Sequence, residues 1–190
     1  MVSVGIQEAT GALIGNSIGA NNVALAYRFF WMTLKFTVVL TLILSALTII
    51  LRSEITHMFT QDDELTVMVA PLMVLTGFNF LADGIAGYLA GPIRALGLQK
   101  KASYLALICY WLIGIPLSCF LAFKCDWGVT GLLSGLLVAL VLSVIFYFML
   151  ILKQDWNKIA KDSMERILKE DSKIAVEKVE QDIDSDDTQV

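Results

Sequence analysis

The chain has 190 residues, 57% of them hydrophobic and 17% charged, with a mean hydropathy of +0.71, whereas an ordinary soluble domain is about 45–50% apolar and about 25% charged. Residues 1–152 carry 7 Lys/Arg and 7 Asp/Glu and residues 153–190 the remaining 7 and 11, so the net charge of -4 belongs to the tail. A pI near 4.9 with scattered cations leaves no basic face for nucleic acid, which is excluded as a partner.

The first segment, Met1 to Ile14, has no basic n-region and no apolar h-region, and so is not a secretory signal. It is apolar and Gly-rich but too short to cross about 30 Å of hydrocarbon, and it reads as the last half of a transmembrane helix that begins upstream. Four stretches that follow are long and apolar enough to span a bilayer: 31–51, 67–90, 103–123 and 129–152. Between them they hold two charges, Lys35 near one end and Asp83 well inside. Lys35 is expected to snorkel to the interface. If the spans alternate, Arg28, Arg94, Lys100, Lys101, Lys153, Lys158 and Lys161 fall on one side and only Arg52 and Lys124 on the other. The positive-inside rule then makes the carboxy terminus cytoplasmic. The 52–66 connection lies on the far side, with Thr60 or Asp62 available to cap the next helix. Residues 153–190 form a charged cytoplasmic tail: an irregularly amphipathic stretch, with Ile159 and Met164 among its apolar positions, decays into an acidic run over 180–187, read as disordered. Ser185 in that run reads as part of a solubilising tail rather than a regulatory site.

Asp83 is the position that carries chemistry, because an ionisable group inside an apolar span costs about 2.5–3.5 kcal/mol on insertion scales and marks a pathway or a partner. Steps of four place Asn79, Asp83, Gly87 and Gly91 on one helical face, with Thr76 a turn further back as a second supporting polar group. An intramembrane carboxyl can trade a proton for another positive charge, as an antiporter requires; the bland alternative is an Asp that fastens two helices. Glu8 is a second acid in the membrane, read either as coupling or as interfacial. Tyr110 and Trp111 lie too deep for an aromatic belt and read as packing or as cavity lining. Small-residue spacings at Gly11/Gly15, Gly15/Gly19, Gly87/Gly91 and Gly131/Gly135 suit close helix packing, and Pro71 and Pro116 suit kinks. Cys109, Cys119 and Cys125 make neither a disulfide framework nor, with the lone loop residue His57, a metal site. There is no nucleophile set or phosphate loop, so no enzyme and no cofactor are expected.

In order, the segments resemble the carboxy-terminal lobe of a eukaryotic-type multidrug and toxic compound extrusion (MATE) transporter, over roughly residues 5–160. The resemblance rests on Gly15-Asn16-x-x-Gly19-Ala20, Phe59-Thr60-x-Asp62, and Asp83-x-x-x-Gly87-x-x-x-Gly91-x-x-Arg94-x-x-Gly97-x-Gln99-Lys100. Tyr110, Gly114-x-Pro116, Gly128-x-x-Gly131-Leu132-x-x-Gly135 and Gln154-x-Trp156 continue it. It implies an all-α polytopic transmembrane bundle, a partial second lobe (the end of helix eight and helices nine to twelve) of a twelve-helix fold. It also implies antiport of small organic solutes, cationic or amphipathic, against H+ or Na+, with protons the usual choice and Asp83 the coupling acid. The membrane is then the plasma or vacuolar one, and the lipid and an amino-terminal lobe, in cis or in trans, are partners. Departures at Leu13, Ala95, Ala106 and Leu133 touch substrate contacts more than fold. The competing expectation is a non-transporting module, or an inactive fragment, that pairs with other transporter helices.

Overall fold

The computed structural model describes residues 2–59, 63–166, 168 and 169, all of its regular structure being helical. Thr60, Asp62, Ser185 and the acidic run over 180–187 lie outside the described residues. Helix α1 (Val2–Gly19) is closed by Asn21 in the left-handed conformation (φ 53), where the Asn22 amide donates to the Ser17 carbonyl at 2.9 Å and the Asn21 amide to Ile18. Asn22 then caps α2 (Val23–Ile50), its side-chain oxygen accepting from the Leu25 amide at 3.1 Å. The three residues Ala20, Asn21 and Asn22 therefore suffice to connect α1 and α2. The second helix begins at Val23, not Trp31, because the cap sits there: hydropathy drops across Tyr27 and Arg28 but the helix does not.

Helix α3 (Arg52–Phe59) leads to α4 (Asp63–Ala95), which runs through Pro71 and Pro92. It ends at Gly97 (φ +69), where the Leu98 amide donates to Ile93 at 2.9 Å and the Gly97 amide to Arg94 at 3.1 Å. That left-handed position is open to glycine without cost. The third membrane-length helix, Gln99–Lys124, is not uniform: α5 (Gln99–Leu107) passes into a π-helical stretch π1 (Ile108–Gly114), then α6 (Ile115–Cys119), then π2 (Phe120–Lys124). Pro116 stands at the start of α6, directly after the first π stretch, so the amide it lacks is absorbed where the ladder has already changed register. Helix α7 (Gly128–Leu152) is followed by a turn and a tail helix over 156–166.

Helix α4 is the axis of the bundle, packed against α1, α2 and α7, while α7 also carries the third span. Small residues set these contacts. A Cβ at Gly91 would strike the Gln7 carbonyl of α1, and one at Gly131 would lie 2.6 Å from the Ala122 amide of π2. The core gathers at the end where α1, α4 and α7 finish and α2 begins. Ile14, Ile18, Phe30, Tyr88, Leu89, Ile151 and Trp156 are buried there together. Tyr88 donates to the Phe30 carbonyl at 2.6 Å, and Trp156 stacks on Tyr27 with ring centroids 4.4 Å apart. Elsewhere large apolar side chains point outward, Met32 at 68% and Trp111 at 70% exposure among them, as the hydrocarbon of a bilayer allows.

Candidate functional site

Asp83 lies on a face of α4 left open beside α7: it is exposed, while Ala82 before it and Ala86 after it are buried. Thr76, Asn79, Phe80 and Asp83 from α4, Tyr110 from π1, and Leu136 and Leu140 from α7 line a cavity of about 320 Å³. The helical spacing thus brings the expected polar groups to one cavity, but their donors go elsewhere. The Thr76 hydroxyl donates to Leu72 at 2.9 Å, and the Asn79 amide to the carbonyls of Leu75 at 3.0 Å and Leu133 at 3.4 Å. Asn79 thereby ties α4 to α7 and keeps its own Oδ1 buried without a partner. Among the described residues no hydrogen bond and no cation reaches Asp83, so the cavity holds a free carboxyl group, while the unpartnered Asn79 oxygen is closed off from solvent. A carboxylate is an acceptor for a proton or a hard cation.

Glu8 is engaged differently. Its carboxylate accepts from the Arg94 guanidinium at 2.6 Å, across the contact between α1 and α4. Gln7, Glu8, Gly11, Ala12, Gly91, Arg94 and Ala95 surround this pair in a second cavity of about 280 Å³. Glu8 is thus the ion-pair partner of a helix end, in a cavity separate from that of Asp83.

The glycines of the sequence motifs divide. Gly91, Gly114, Gly131 and Gly135 meet neighbouring helices, Gly15 only grazes Ala95, and Gly19 and Gly87 face open space. Asn16 is exposed and its carbonyl accepts the closing amide of Ala20 at 3.0 Å. Gln99 reaches back to the Arg94 carbonyl at 3.4 Å, joining the two sides of the Gly97 turn. Two features escaped the sequence reading. Thr33, Thr37, Thr41 and Ser45 recur every four residues along α2 and face α4, with Ser45 donating to the Gly77 carbonyl at 2.7 Å; the regular hydroxyl spacing was the available signal. Gly84 accommodates the Thr41 methyl in the same seam. Trp111 faces outward, whereas Tyr110 lines the Asp83 cavity. Among the described residues no group of three His, Cys, Asp or Glu side chains could hold a metal.

Four helices long and apolar enough to cross a membrane, joined by short connections and packed through small residues, define a polytopic α-helical membrane protein. The MatE family profile matches residues 1–120, and the chain belongs to that family, whose members are transporters and not enzymes. It is 27% identical over 164 residues to Protein DETOXIFICATION 41 of Arabidopsis thaliana, covering 86% of this chain and 32% of that protein. It is 28% identical to Multidrug and toxin extrusion protein 1 of Danio rerio, covering 87% of this chain and 28% of the relative. The fold matches the crystal structure of the eukaryotic MATE transporter AtDTX14 with a TM-score of 0.82 at 23% identity, over 87% of this chain and 37% of that one. The chain therefore spans about a third of the length of the relatives it matches.

Proposed function

We propose that the chain is the carboxy-terminal-lobe part of a secondary antiporter that exports small organic solutes, cationic or amphipathic, in exchange for protons, with Asp83 as the coupling acid. The observation that carries this reading is the Asp83 carboxyl, without a partner among the described residues and within an apolar span, in a cavity that the described helices leave open on one side. A charge so placed is costly toward lipid and is retained where it faces a pathway. Protonation from one side and release to the other, coupled to a change in helix packing, is the minimal exchange cycle. An amino-terminal lobe, in cis or in trans, supplies the opposite wall, and the carboxy terminus is cytoplasmic in a plasma or vacuolar membrane. Sodium is the alternative coupling ion, since a carboxylate suits a hard cation as well as a proton.

The test uses the longer transporter that contains this chain, reconstituted in vesicles and followed by uptake of a fluorescent organic cation. With Asp83→Asn, transport driven by a pH gradient is expected to fall to the gradient-free level while binding of the cation persists. Parental rates in that variant would overturn the reading. Transport driven by a sodium gradient and indifferent to pH would transfer the coupling to Na+. A second reading, a non-transporting module that pairs with other transporter helices, is favoured by the open side of the Asp83 cavity. It predicts co-purification with a partner lobe and no transport by either part.

A further inference from the structure

The cations of this chain divide into those the helices use and those they leave free. Arg94 is held by Glu8, whereas Arg28 and Lys35 of α2 have no carboxylate partner among the described residues. Helix α2 contains no acidic residue along its whole length. Seven residues separate the two cations, which puts them on one face about 10 Å apart along the axis. Both are exposed, and the exposed side chains of Trp31 and Met32 lie between them. With Leu25 and Tyr27 they border a groove of about 760 Å³ along the first turns of α2.

The polarity of this face is directional. Side chains on a helix lean toward its N-terminus, so the Lys35 ammonium leans toward Arg28 and toward the positive end of the α2 dipole. In the other direction the same face continues as Phe36, Val39, Leu42 and Ile43, all exposed and all apolar. A ligand that fits has an anionic head at the Arg28 end and hydrocarbon beyond Lys35. A free phosphate would leave the apolar part of the face unused, and a soluble acidic peptide would have to lie against hydrocarbon.

We propose that this face of α2 is a binding site for an anionic phospholipid, its phosphate between Arg28 and Lys35 and an acyl chain along Phe36, Val39 and Ile43. The site rests on the orientation given above, which sets the start of α2 in the cytoplasmic leaflet, where anionic lipids reside. It is independent of the antiport chemistry.

The test is native mass spectrometry of the purified chain in detergent, titrated with phosphatidylserine or phosphatidylcholine. Phosphatidylserine adducts are expected to survive activation that strips phosphatidylcholine. Each near-surface cation strengthens anionic-lipid binding about fivefold, so R28Q or K35Q should weaken the phosphatidylserine preference by about that factor and the double variant by about thirtyfold. K158Q/K161Q, with two cations removed from the tail helix, should retain it. Glycerophosphoserine, which has the headgroup without acyl chains, should fail to compete. Equal binding of the two lipids, an unchanged double variant, or full competition by glycerophosphoserine would each overturn the proposal. So would a preference that appears only after residues 171–190 are deleted, because the acidic tail would then be the occupant. Both substituted cations are exposed, and the readout needs no transport, so a negative result leaves the Asp83 reading standing.

Discussion

At the scale of single residues, what decides whether a small side chain matters here is where it points, and the motif glycines separate on that basis. Gly87 and Gly91 sit one turn apart on α4, yet a Cβ at Gly87 meets nothing and one at Gly91 meets the Gln7 carbonyl of α1. Backbone cannot move aside as the end of a side chain can. Gly91→Ala should therefore force α1 off α4 and cost about 1–3 kcal/mol, read as a lower unfolding midpoint in detergent, while Gly87→Ala leaves the midpoint in place. Equal shifts for the two would mean that helix propensity, not the α1 contact, governs this position. Asp83 was legible in the sequence because a charge in an apolar span stands out without any knowledge of contacts. The state of its neighbours was not. Asn79 could equally have donated to Asp83, and only the approach of the Leu133 carbonyl from α7 shows where its amide goes. Glu8 and Arg94 are 86 positions apart, a separation at which helical spacing says nothing about pairing. Their coupling can be measured: Glu8→Gln and Arg94→Gln each leave one unpaired charge, so the double variant should be less destabilised than the sum of the singles. Strict additivity would show that the pair contributes nothing.

At the scale of elements, the apolar stretches of the sequence fall within helices whose ends lie elsewhere. Hydropathy reports how much of a helix lies in lipid, whereas hydrogen bonding determines where the helix starts, and at α2 the Asn22 cap adds a turn and more of polar-edged helix before Trp31. The third span was legible as a length of apolar sequence but not as two π-helical stretches, because periodicity at this resolution does not separate π from α turns. Those stretches lie against α7, where Gly114 of π1 meets Ala139 and Ala122 of π2 faces Gly131, so close backbone packing accompanies the altered register. The tail helix illustrates the opposite case. Its apolar positions are irregular over the whole stretch, yet its first two turns dock on the core: Ala160 is buried, and Trp156 is buried, packs against Tyr27, meets Phe30 edge-on at 5.8 Å and donates to the Ile151 carbonyl at 3.3 Å. Asp155 caps the first turn through the amides of Asn157 and Lys158. Trp156→Ala should remove about 3 kcal/mol of packing and release the helix, seen as rapid proteolysis within 157–166. Trp156→Phe, which keeps the ring contacts and loses only the indole donor, should stay largely protected. Cleavage at equal rates in Trp156→Ala and the parent would show that the tail is held by something other than this side chain.

At the scale of the whole molecule, the arrangement is asymmetric from end to end, and the asymmetry is what an orientation experiment can read. The buried core and the basic residues Arg28, Arg94, Lys100, Lys101 and Lys153 share one end, while the connection between the third and fourth spans, with Cys125, lies at the other. The three cysteines sample different depths: Cys109 is buried within the bundle, Cys119 is exposed but lies within the membrane-length helix, and Cys125 is exposed in the turn just before α7. Thiolate chemistry requires water and access, so a membrane-impermeant maleimide should label Cys125 and leave Cys109 and Cys119 unmodified while the bilayer is intact. If the carboxy terminus is cytoplasmic, Cys125 of the protein expressed in the plasma membrane is labelled from outside sealed cells before any permeabilisation. Cys125→Ser should abolish that signal, and a tag at the carboxy terminus should stay protected from added protease under the same conditions. Labelling of Cys125 only after permeabilisation, with the tag cleaved beforehand, would invert the molecule. The anionic-lipid face of α2 would then sit in the wrong leaflet, whereas the Asp83 cavity, which lies within the spans and opens sideways from α4, would keep its place in an exchange cycle of either orientation.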